Sequence, residues 1–403
     1  MKKSMILAAI AATVLFASCA KNIDLAPTAE TQHAIGFSNY TPRMLTKAGD
    51  TYVSGTSLVA NQKFAVYAWS TTYGNFMTAN PGSPTFMNPA VVTWVDNNNE
   101  GANNPYSPLR YWPAGTTPDN LSFAAYYPYG GAGITAPSFD ANTVGVYNFA
   151  AQSTSAAMVD FCVADVVNDQ VYGNTNATTS EGNKGTVAFT FRHQLAKVQF
   201  KFKADNSDEN TTVNLVDAKL YNIRTKGNLT SKYTAPGTPA VNTPGSTETI
   251  WGGQACESTP IVYDVTFSGD DASDANKITL TTTAKPAAAG TENPATDIFL
   301  MVPQEMVAPT FSAVPNTPAN LSNTAQYLLV TWEVVTGTVT TTNTQALYLD
   351  QCVTTDGGDT QANIDWAKNK FVTYTITIGP KPIRFTASVA EWDTVQNGYF
   401  NVQ

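Results

Sequence analysis

Histidine is nearly missing: His33 and His193 are the only two in 403 residues. Two imidazoles cannot build a His-rich metal cluster and leave most acid–base dyads to carboxylates alone, so catalysis is disfavoured from the outset. Cysteine is almost as scarce, with four, and none stands in a CxxC arrangement. That excludes a zinc ribbon or a CxxC redox pair. Charge is thin and acidic: 13% of residues are charged, with 22 Lys and Arg against 31 Asp and Glu. A net charge of −9 offers no basic footprint for a phosphate backbone, so nucleic acid is not expected as a partner. Long helical periodicity, a P-loop, a nucleophile elbow, a dinucleotide fingerprint and a short fixed repeat are all missing as well. No cofactor and no catalytic residue is implied.

The N-terminus carries an address. Met1-Lys2-Lys3 is a short basic leader, and Met5 to Ala17 is an uncharged apolar run, the pattern of a secretory signal. The run is too short to span a bilayer, and no later run of about 18 apolar residues follows. It closes on Phe16-Ala17-Ser18-Cys19, small residues directly before a cysteine, which resembles the lipobox of bacterial lipoproteins. The expectation is a signal peptide over 1–18 with Cys19 as the lipid-bearing first residue. Of the other cysteines, Cys256 and Cys352 could pair in an oxidising compartment, while a buried thiol is the alternative reading for each, as for Cys162.

With 43% hydrophobic residues the body is globular, and its length allows two domains. Short alternating runs bounded by Gly, Pro, Asn and Thr recur throughout, which predicts an all-β sandwich fold. Phe64, Val66 and Ala68 share one face, as do Leu121, Phe123 and Ala125. Val372, Tyr374, Ile376 and Ile378 line a strand, Gly379-Pro380-Lys381-Pro382 breaks it, and Ile383, Phe385, Ala387 and Val389 line the next. Between Thr186 and Lys203 the parity changes: Val187, Phe189, Phe191, His193 and Leu195 lie on one face, Val198, Phe200 and Phe202 on the other. A bulge or kink near Ala196 is expected to absorb the shift. The Thr- and Asn-rich tracts 97–108, 173–185, 233–245 and 286–294 are expected outside the core. The acidic stretch Asp205 to Asn210 is a convenient domain boundary.

Several segments in a shared order resemble the fimbrillin family of pilus subunits. They are Arg110-Tyr111-Trp112-Pro113, the run Leu121 to Pro128, Phe191-Arg192-His193-Gln194-Leu195-Ala196-Lys197-Val198, Leu300-Met301-Val302-Pro303-Gln304, and Phe371 to Ile376 with Val389-Ala390-Glu391-Trp392. The resemblance implies two transthyretin-like β-sandwich domains in tandem and a precursor exported as an outer-membrane lipoprotein. It further implies that a trypsin-like protease removes the leader with its first strand, and that other pilin subunits fill the vacated groove by strand exchange. On that plan residues 19–47 are the leader with a removable strand at Ile35 to Tyr40. Residues 48–205 and 206–403 are the N- and C-terminal sandwiches. Arg43 and Lys47 are the candidate cleavage sites, and the tail beyond Trp392, with Phe400 and Val402 on one face, is a possible donor strand. Lys47 stands where the family often has arginine, so strictly Arg-specific cleavage would shift to Arg43 or fail.

The alternatives are a tip or anchor subunit, or a monomeric surface lipoprotein that keeps its lipid and binds a host receptor or glycan through Trp94, Tyr106 or Trp251. His193 reads as a satisfied core or edge histidine, and Asp270, Asp271, Asp274 and Asn276 as a solvated turn rather than a calcium loop. Tyr126, Tyr127 and Tyr129 are explained by core packing and the turn at Pro128.

Overall fold

The computed structural model describes residues 33–40, 58, 60–71, 76, 82–95, 104–114, 119–140, 143–172, 185–205, 210–234, 246–265, 277–283, 285–286, 298–310, 324–354, 364–379 and 383–391. The alternating segments become strands. In chain order these are β1 (Gly36–Tyr40), β2 (Lys63–Thr71), β3 (Met87–Thr93), β4 (Asn120–Tyr127), β5 (Gly145–Ala150), β6 (Cys162–Ala164) and β7 (Val167–Gln170). There follow β8 (Thr186–His193), β9 (Ala196–Ala204), β10 (Thr211–Tyr221), β11 (Lys226–Thr234), β12 (Ser246–Ala255), β13 (Tyr263–Asp264) and β14 (Ile278–Thr279). The last are β15 (Lys285–Pro286), β16 (Ile298–Met301), β17 (Tyr327–Thr336), β18 (Val339–Tyr348), β19 (Val353–Thr354), β20 (Lys370–Ile378) and β21 (Arg384–Glu391). The fold is all-β, and the helical residues described are two short 3₁₀ turns, Ser155–Ala157 and Leu349–Gln351.

Four sheets organise these strands. The first runs β1-β8-β6-β4-β2-β3 with β7 on β4, and the second β12-β11-β5. The third runs β13-β10-β17-β18 with β14 on β10, and the fourth β15-β9-β20-β21-β19 with β16 on β9. The pairs β1–β8, β9–β20 and β19–β21 are parallel, and the rest are antiparallel.

The parity change between Thr186 and Lys203 has a sharper outcome than a kinked strand. The chain forms two strands, β8 and β9, and crosses from the first sheet to the fourth at Gln194 and Leu195. A strand that changes sheets must re-aim its side chains, which is what the switch of apolar parity encodes. The second sheet joins distant segments, since β11 pairs with β5 from Lys226↔Ala150 to Ser231↔Gly145.

The central strands of the first sheet are buried on both faces. Phe64, Val66, Ala68, Leu121, Phe123 and Ala125 pack on one side, in a core with Ile35, Phe37, Trp94, Trp112, Phe189 and Phe191. Ala65, Tyr67, Trp69, Ala124 and Tyr126 face the other way into a larger core shared with the second sheet. There Tyr126 meets Tyr147 edge-on at 5.3 Å, and Phe76 meets Tyr233 at 5.6 Å. The same core continues between the third and fourth sheets, where Tyr263 meets Phe299 at 5.8 Å and Phe200 stacks on Tyr374 at 5.2 Å. All described residues belong to one compact unit beginning at His33. Along β20, Val372, Tyr374, Ile376 and Ile378 are buried as the alternation requires. Along the next segment Ile383 and Ala387 are buried but Val389 is 46% exposed, because the apolar stripe outruns the sheet that covers it.

Candidate functional site

The strongest candidate is the seat of the first strand. β1 lies at the edge of its sheet, parallel to β8, with Phe37 opposite Val187 and Ser38 opposite Ala188. Ile35 and Phe37, two residues apart, point the same way and are fully buried, as a period of two demands. Phe37 fills an aromatic box. Its ring stacks on Phe189 at 5.9 Å, meets Phe64 and Phe123 edge-on at 6.4 and 6.3 Å, and tilts against Tyr106 at 5.3 Å.

The opposite flank of the segment is not open. Ala34 bridges Tyr111, the Ile35 amide donates to the Arg110 carbonyl at 2.9 Å, and the Trp112 amide donates to the His33 carbonyl at 2.9 Å. Two side chains complete the clasp. The Tyr106 hydroxyl donates to the Ile35 carbonyl at 2.9 Å, and Asn104 Nδ2 donates to the Phe37 carbonyl at 2.9 Å. Asn104 is itself buried and held by the Val95 amide, which donates to its Oδ1 at 2.7 Å. Burial pushes the Tyr106 phenol above its ordinary value, so its hydroxyl stays a donor well into alkaline pH. At one end the Gly185 carbonyl accepts from the Gly36 amide at 2.8 Å and from Trp112 Nε1 at 3.1 Å. Gly185 has φ +93°, and a Cβ there would stand 3.1 Å from the Ala34 carbonyl, so the turn and the close approach both call for glycine.

A second cluster is polar and buried. His193 Nδ1 donates to the Asp160 carboxylate, at 3.1 Å to Oδ1 and 2.9 Å to Oδ2, and Cys162 Sγ lies 3.5 Å from Nδ1 and 3.6 Å from Asp160 Oδ1. It is the one group of three His, Cys, Asp or Glu side chains with metal-ligand spacing among the described residues. The imidazole and carboxylate are in direct hydrogen-bond contact, whereas ligand atoms around a tetrahedral zinc stand roughly 3.3 to 3.7 Å apart. The contacts are those of a core carboxylate satisfied by a hydrogen bond from an imidazole. β6 and β8 supply two of the residues, as Cys162 pairs directly with His193.

The sequence-nominated residues fall out unevenly. Cys19, Arg43, Lys47, Asp270, Asp271, Asp274, Asn276, Trp392 and the tail 393–403 lie outside the described residues. The strand expected at Ile35 to Tyr40 is β1. His33 stacks on Tyr172 at 3.7 Å. The aromatics proposed as a glycan platform point inward: Trp94 is buried, Tyr106 packs on Phe37, and Trp251 packs edge-on to Phe149 at 5.9 Å while donating to the Gln194 carbonyl. Tyr126 and Tyr127 are buried and Tyr129 is exposed. The possible Cys256–Cys352 bond is not formed: Cys162, Cys256 and Cys352 are all thiols, with Cys256 exposed and Cys352 buried. Asn104 was missed because its tract was read as lying outside the core. Asp160 was missed because nothing local links it to His193.

An all-β chain whose first strand is seated at a sheet edge, clasped from both sides and packed into an aromatic box, is by class a β-sandwich protein. The chain belongs to the fimbrillin-like family, whose pattern matches residues 46–392. Fimbrium subunit Fim1C of Phocaeicola vulgatus is 28% identical over 221 residues, 52% of this chain, and the match spans about half of that protein, 55%. A crystallised fimbrial protein from Bacteroides vulgatus shares the fold with a TM-score of 0.55 at 19% identity, over 89% of this chain and 99% of that one.

Proposed function

We propose that this chain is a non-enzymatic structural subunit of a cell-surface pilus (fimbrium), polymerised by donor-strand exchange and serving adhesion. The observation that carries this reading is the seat of β1: a short strand at a sheet edge, with two side chains in the core, directly upstream in sequence of Arg43 and Lys47. Burial of Ile35 and Phe37 stabilises the seated strand by about 1.5–3 kcal/mol each at most. That is strong enough to hold the strand in the precursor and weak enough for a longer strand to replace it once the chain is cut. Removing β1 exposes the edge of β8 and an apolar cavity beside it, the template for strand addition. The family and the names of the relatives support a pilin.

In full, the precursor is exported by its signal peptide and lipidated at Cys19, which anchors it transiently to the outer membrane. A trypsin-like protease cuts at Arg43 or Lys47, and the freed seat accepts a strand from another pilin subunit. The two transthyretin-like sandwiches of this reading are the first sheet with the second and the third with the fourth. The test is to treat signal-free precursor with a trypsin-like protease and follow intact mass, N-terminal sequence and an unboiled denaturing gel. A single species beginning at Met44 or Ala48 that forms a detergent-resistant, heat-sensitive ladder is expected. An uncut or permanently monomeric product refutes assembly by this route.

A further inference from the structure

The clasp on β1 is more than a lid over an edge strand, because it touches the strand's main chain and its side chain at the same residue. Phe37 places its ring among Phe64, Tyr106, Phe123 and Phe189, while its carbonyl accepts from Asn104; two residues earlier, the Ile35 carbonyl accepts from Tyr106. Tyr106 takes part in both, as a wall of the box and as a donor to the backbone. Both donors are held in place. Asn104 is oriented by the Val95 amide at 2.7 Å, and the Tyr106 oxygen accepts from the Arg110 amide at 3.2 Å. A seat built only from apolar walls would tolerate a strand slipped by two residues, since the period of a strand is two. A box sized for one aromatic ring does not, whereas the two donors meet equivalent carbonyls in either register and only hold the main chain against the seat.

We infer that the aromatic box, with Tyr106 as one wall, reads the register of an incoming strand, selecting one that carries an aliphatic residue followed two positions later by an aromatic one, while Asn104 and the Tyr106 hydroxyl clamp its main chain. The inference rests on the strand-exchange reading above and adds the chemistry of its partner: an extended segment of another chain with an aliphatic-x-aromatic pattern, held by main-chain carbonyls. Phe64, Tyr106, Phe123 and Phe189 are the specificity-determining positions, and Asn104 is a main-chain clamp. A segment offering only small or charged residues at the box position leaves the cavity unfilled. One displaced by a single residue turns its apolar side chains away from the core.

Two measurements on the full signal-free chain test this. In the first, hydrogen exchange of residues 33–40 is followed by mass spectrometry in wild type, Tyr106→Phe and Asn104→Asp. Tyr106→Phe keeps the ring in the box and removes only the hydroxyl. Asn104→Asp keeps the acceptor for Val95 and turns the donor toward Phe37 into an acceptor. Exchange of 33–40 is expected to rise about 3- to 10-fold in each variant, with 370–391 unchanged. Unaltered exchange of 33–40 in both variants overturns the clamp. In the second, the folded chain is nicked by limited trypsin and offered a synthetic copy of residues 33–41, the same peptide with Phe37→Ala, and one with the residues at positions 35 and 37 exchanged. The copy is expected to bind, and the two altered peptides at least about tenfold more weakly. Equal capture of all three overturns register reading while leaving strand exchange standing. Capture of none overturns both.

Discussion

Replacing Phe37 by alanine is the most direct measure of how firmly the first strand belongs to the precursor's core. The side chain is 2% exposed and touches four aromatic rings, so truncation removes both its transfer free energy and the contacts of a box that three strands and a loop cannot collapse to fill. Buried Phe→Ala changes cost about 3–5 kcal/mol, and rigid surroundings place this site toward the upper end. With a urea m-value of about 3 kcal/mol per M for a unit of this size, the midpoint is expected to fall by about 1.3 to 1.7 M. The assay is equilibrium urea unfolding followed by tryptophan fluorescence, since Trp94 and Trp112 lie in the same core. Exchange protection of residues 33–40 is expected to collapse in parallel. A midpoint shift below about 0.2 M with protection retained would show that β1 contributes little to this core, and the energetic argument for a removable plug would fail.

Four further outcomes follow from particular contacts. Asp160→Ala removes the carboxylate hydrogen-bonded to His193 Nδ1 in the core and is expected to cost about 1–3 kcal/mol by thermal or urea unfolding. Arg192→Ala, which breaks a 2.7 Å pair with Asp165 whose arginine side chain is 56% exposed, is expected to cost less than about 1 kcal/mol in the same assay. Burial pushes the phenols of Tyr126 and Tyr327 up to about 12 from the ordinary 10, so the unfolded chain sheds protons that the folded chain keeps. Stability is therefore expected to be flat below pH 10 in this respect and to fall as pH rises from 10 to 12, checked by urea midpoints alongside tyrosinate absorbance. Iodoacetamide at neutral pH is expected to modify Cys256 in the native chain and to spare Cys162 and Cys352, which are buried; burial also pushes the Cys352 thiol up to about 12.

What the sequence by itself determined was local. Alternation of apolar residues marked β2, β4, β8, β9 and β20, because a period of two is written into consecutive positions and needs no partner to be read. The same alternation marked β1 through Ile35 and Phe37, and the ordered motifs placed the chain in its family. Only the tertiary structure decided which edges these strands share. A strand's backbone donors and acceptors are the same whichever neighbour they meet, so nothing local says that β5 pairs with β11, or that β8 and β9 part into different sheets at Gln194. The clasp shows the same limit. Asn104 stands in a polar tract that reads as solvated loop, yet it is buried against a carbonyl 67 residues away, and Asp160 reaches His193 across 33. Polar residues look alike in sequence whether water or a backbone carbonyl satisfies them, and long-range packing alone decides which it is.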